Sequence, residues 1–142
     1  MSRTILNAPL AWFQRVLWLG IAANVALAVP TLLIPERMLA LTSLPPAAPL
    51  MWPRFAAWLL ILLSAFYVPA ALDALRFRTI AWLAVGSRLA GVAFFLTQSA
   101  DYRMLGAVDL VFFVPEVILL ALATRRERRP EPNRPAHAVA GS

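Results

Sequence analysis

Cysteine and lysine are both absent from this 142-residue chain, histidine occurs once and glycine five times. Without a thiol there can be no disulfide, iron–sulfur cluster, thiolate nucleophile or c-type haem attachment. The one histidine, His137, stands in a polar stretch near the C terminus, so a haem or metal held between helices lacks its usual imidazole ligands, and no covalently bound cofactor is expected. Charge is scarce as well. Charged residues make up 14% of the chain, against about 25% in soluble domains. What is plentiful is apolar surface, with 61% hydrophobic residues and a mean hydropathy of +0.73. A soluble globular domain is excluded on those numbers, and at this length four spans of about 20 residues would use more than half the chain.

All 13 basic residues are arginine, and with 7 acids they give a formal net charge of +6. Nucleic acid does not follow from that charge. A nucleic-acid footprint needs a contiguous basic face, whereas these arginines stand mostly at the ends of apolar runs, where they anchor helices and set orientation.

Four apolar runs predict an all-α, antiparallel four-helix transmembrane bundle over residues 1–124, with spans at about 12–34, 54–75, 80–98 and 104–123. Ala26-Leu27-Ala28 in the first run imitates a signal-peptide cleavage site, but the run is long enough to span and reads as an uncleaved anchor. The first connection holds Pro35, Pro45, Pro46, Pro49 and Pro53 yet stays apolar. Pro35 suits a first helical position, so Glu36 to Leu41 is expected as a short interfacial helix. Pro69 and Pro115 fall inside spans and predict kinks. Residues 125–142 form an Arg/Pro-rich tail with too little apolar content to order itself. Arg3, Arg15, Arg76, Arg78 and the arginines from Arg125 to Arg134 fall on one side of such a bundle, and only Arg37, Arg54 and Arg103 on the other. The positive-inside rule then puts both termini in the cytoplasm.

Charges at bilayer depth are expensive and need a partner or a purpose. Arg88, Asp109 and Glu116 are the three. Counting the helical rise from the inner ends puts Arg88 and Glu116 nearly level, so they are expected to pair. Asp109, two turns from Glu116 on the same face, is most level with Arg54. Asn24 and Tyr67 also fall near mid-depth and complete an expected polar cluster. Three readings of that cluster stay open: a helix-locking ion pair, a cavity for a lipid or quinone, and a proton or ion path. Gly86, Ala90 and Gly91 make a small-residue patch suited to close helix packing. Arg125, Arg126, Arg128 and Arg129 mark the membrane surface, where they attract anionic headgroups.

The stretches Pro35-Glu36-Arg37-Met38-Leu39-Ala40-Leu41 and Gly86-Ser87-Arg88-Leu89-Ala90-Gly91, with an acidic residue in a proline-containing fourth helix closed by Arg-Arg, resemble the small DoxX-like bacterial membrane proteins over roughly residues 12–126. The resemblance implies a four-helix inner-membrane protein, in some members a subunit associated with redox enzymes or thiol-stress systems. It implies no catalytic residue, and redox work without cysteine would fall to a partner or a quinone.

The expectation is therefore a noncatalytic, multi-pass protein of the bacterial inner membrane, an accessory or scaffold subunit that holds lipid or quinone, with a protein partner in the membrane or a homo-oligomer. The alternatives are a small oligomeric transporter or channel using Arg88 and Glu116, and a membrane enzyme acting on a lipophilic substrate.

Overall fold

A computed structural model describes residues 8–127, all helix and connection. Helix α1 covers Ala8–Leu33, α2 Pro35–Leu41, α3 Met51–Leu72, α4 Arg78–Leu96 and α5 Arg103–Glu127, with one 3₁₀ turn at Ala100–Tyr102 before α5. Helices α1, α3, α4 and the continuous Ala100–Glu127 segment are long and apolar enough to cross a membrane. They run up and down in turn. α1 packs on α3, α3 on α4, α4 on α5 and α5 back on α1, closing a four-sided bundle. The tight connection after α3 enforces the antiparallel pairing of α3 and α4.

The expected short helix after Pro35 forms, with Pro35 in its first turn and Glu36 beside it, and it rests against α1. Proline at the first position suits a helix start because its missing N–H would have had no partner there. Helix α3 begins three residues before the expected position because Pro53 is accommodated in its first turn. It also stops three residues earlier. Asp73 there accepts the Arg76 N–H at 3.0 Å, a local turn that competes with continuing the helix. Pro30, Pro69 and Pro115 all lie inside helices.

The apolar core is concentrated toward the end of the bundle where α1 and α4 begin and α3 and α5 finish. Phe13, Leu17, Tyr67, Val85 and Leu120 fill it, together with Ala70, Ala71, Ala74, Ala81 and Ala84. Alanine lets helix backbones approach closely, which favours the dispersion contacts that hold helices together in lipid. The outer surface is the reverse of a soluble protein's. All five tryptophans face outward, from Trp82 at 40% exposure to Trp52 at 60%. Trp12 lies under the Arg15 guanidinium at 5.0 Å, an amphipathic pairing suited to a bilayer boundary. A surface so apolar needs a bilayer or a partner to cover it.

Candidate functional site

Arg88 stands ten residues after Arg78 on α4 and Glu116 eleven before Glu127 on α5, so the antiparallel helices carry them to the same depth. Arg88 Nε donates to Glu116 Oε1 at 3.2 Å. The guanidinium is 3% exposed and the Glu116 carboxylate 0%, so the expected pair exists and is closed to the outside. Arg88 also reaches Asp109, whose Oδ1 accepts from Nη1 at 3.2 Å. The expected Asp109–Arg54 pair does not form. Arg54 is exposed near the start of α3, while Asp109 and Glu116, two turns apart on one face of α5, both lie within reach of the long Arg88 side chain.

The other sides of the guanidinium are covered. Its face lies 4.7 Å from the Phe112 ring centroid, a cation–π contact from the same face of α5. Its Nη2 edge fits against Gly20 of α1, where an added Cβ would collide with Nη2. Gly91 plays the corresponding part for Asp109: a Cβ there would collide with Oδ2. Three helices thus enclose one cation. Arg88 Nη2 and Glu116 Oε2 are buried without a hydrogen-bond partner, and both hydrogen bonds of the cluster are longer than the about 2.7–2.9 Å of the tightest charge-assisted kind.

Asn24 and Tyr67 find their hydrogen-bond partners outside this cluster. Asn24 Nδ2 donates to Ser64 Oγ at 3.2 Å, joining α1 to α3, and Ser64 in turn donates to the Leu60 carbonyl. The Tyr67 hydroxyl is hydrogen-bonded to Ser87, joining α3 to α4. Near the core-rich end Gln14 Nε2 donates to the Leu72 carbonyl at 2.8 Å, satisfying one of the carbonyls a helix terminus leaves open. Each polar side chain stitches two helices.

Of the small-residue patch, Gly91 is covered by Asp109, whereas Gly86 and Ala90 are exposed and an added Cβ at Gly86 would meet nothing. Arg125 and Arg126 end α5 on the exposed surface; Arg128, Arg129 and His137 lie outside the described residues. Among the described residues no three of His, Cys, Asp or Glu gather to hold a metal ion.

Gln14, Gly20, Ser64 and Phe112 are the contributors to these contacts that the sequence reading passes over. Two carried a signal. A glycine in a helix interior costs about 1 kcal/mol against alanine and so asks for a packing reason, and Phe112 falls between Asp109 and Glu116 at helical spacing. Ser64 shows none until its neighbour on α1 is known. Comparison with protein-family models, curated proteins and solved structures finds no match.

Proposed function

We propose that this chain is a noncatalytic, multi-pass protein of the bacterial inner membrane, with both termini in the cytoplasm, acting as an accessory or scaffold subunit of a larger membrane complex. The observation that carries this reading is the closed state of the intramembrane charges: Arg88 and Glu116 are buried on one another and roofed by Gly20 and Phe112. A permeation path or a proton-donating active site needs such groups open to substrate, whereas a helix lock needs them enclosed. The exterior supports the same reading. Gly86 and Ala90 give α4 an exposed small-residue face where another helix can approach closely. The resemblance to DoxX-like proteins points the same way, as does the arginine asymmetry for the orientation. Lipid covers the rest of such a surface, and a quinone from the same bilayer would compete for its grooves.

The test is purification of the tagged full chain in mild detergent or nanodiscs, with a photo-crosslinker at position 86 and mass spectrometry of the captured chains and organic extract. A larger partner recovered in fixed stoichiometry and cross-linked at that face is the expected result. A free monomer or homo-oligomer with no companion overturns the proposal.

A further inference from the structure

At the core-rich end of the bundle a cleft of about 450 Å³ opens between the start of α4 and the finish of α5, lined by Arg78, Trp82, Ala121, Thr124 and Arg125. The order of these residues along the bilayer normal is regular. Trp82 lies one turn after Arg78 on the outgoing helix, and Ala121 one turn before Arg125 on the incoming one. Both walls therefore carry a guanidinium at the rim and an apolar side chain about 6 Å deeper. That sequence of chemistry, cation then hydrocarbon, matches a phospholipid entering head-outward.

We propose that this cleft binds the phosphate of an anionic phospholipid, with Arg78 and Arg125 as its ligands and Trp82 against the glycerol and upper acyl chain. Arg125 is exposed and has no acidic partner among the described residues. Arg78 is held by Glu127 at 3.5 Å, both partners substantially exposed. Such an ion pair is worth little and yields to a better acceptor, and the guanidinium fork matches phosphate oxygens two at a time. The Thr124 hydroxyl donates to the Leu120 carbonyl at 2.9 Å, so the donors to phosphate are the arginines. Trp82, 40% exposed at this depth, is the aromatic that bilayer interfaces favour. A soluble phosphate compound would use the rim alone. The apolar floor of Trp82 and Ala121 selects a lipid.

The inference rests on the membrane reading of the four helices and is separable from the subunit proposal. Native mass spectrometry of the full chain with equal phosphatidylglycerol and phosphatidylcholine of the same acyl chains reads the headgroup preference directly. The wild type is expected to retain the anionic lipid in excess. R78Q and R125Q are each expected to lower that excess about fivefold, the effect of about one unit of interfacial charge interaction. R37Q/R103Q, at the opposite end, is expected to leave it intact. Equal retention of the two lipids by the wild type overturns the assignment, as does an equal loss in R37Q/R103Q. Displacement of the lipid by inorganic phosphate at similar concentration also overturns it, in favour of a free-phosphate site. A chain that lacks any protein companion yet keeps the preference counts against the subunit reading alone, and loss of the preference in R78Q/R125Q with a companion still retained supports the lipid assignment independently of that reading.

Discussion

Arg88 faces two carboxylates, an aromatic ring and a bare glycine, and each neighbour sets a different cost for change. Arg88→Met leaves Asp109 and Glu116 without their shared cation and is expected to destabilise by about 3–5 kcal/mol, the range for breaking a buried pair. Asp109→Asn leaves Arg88 in a one-to-one pair with Glu116 and is expected to cost clearly less. Titration with SDS in mixed micelles, followed by far-ultraviolet circular dichroism, ranks the two. The glycines give a second ranking by the same method. Gly20→Ala forces the pinned guanidinium to move and is expected to cost about 1–3 kcal/mol. Gly91→Ala displaces the partly exposed Asp109 carboxylate and should cost less. Gly86→Ala meets open space and should stabilise by up to about 1 kcal/mol, the helix preference for alanine. Equal effects at all three would contradict the packing described.

At the scale of helices, the stitches are modest individually. A double-mutant cycle on Tyr67→Phe and Ser87→Ala is expected to show a coupling of about 0.6 kcal/mol, the average for such bonds between transmembrane helices; a coupling near zero would mean that hydroxyl pair does not join α3 to α4. Much of this level was legible in the sequence. Long apolar runs marked the four spans, Pro35 marked the short helix, and counting helical rise placed Arg88 level with Glu116. The same counting misassigned Asp109, because it compares backbone depths while an arginine side chain reaches along the helix axis to a second carboxylate. Asp73 ended α3 early through its side chain, which apolar periodicity does not register. The serines opposite Asn24 and Tyr67 depended on helix rotation, which packing decides and a single helix does not.

For the whole molecule, the five outward tryptophans and the one-sided arginines describe an object built to be surrounded. The lack of native cysteine makes orientation directly readable. Cysteines introduced at positions 76 and 37 are expected to react with membrane-impermeant maleimide from opposite sides, position 76 only after the inner face is exposed; the reverse pattern would overturn the cytoplasmic placement of the termini. Whether the enclosed charges only lock helices is decided by one variant, Arg88→Met, Asp109→Asn and Glu116→Met together, which removes every formal charge from the cluster at similar volume. A buried ion cluster that only locks helices can be replaced by neutral packing at little cost. The unfolding free energy of the triple variant is therefore predicted to recover to within about 1 kcal/mol of wild type or above it. A triple variant no more stable than Arg88→Met alone would mean that the charges do more than lock the helices.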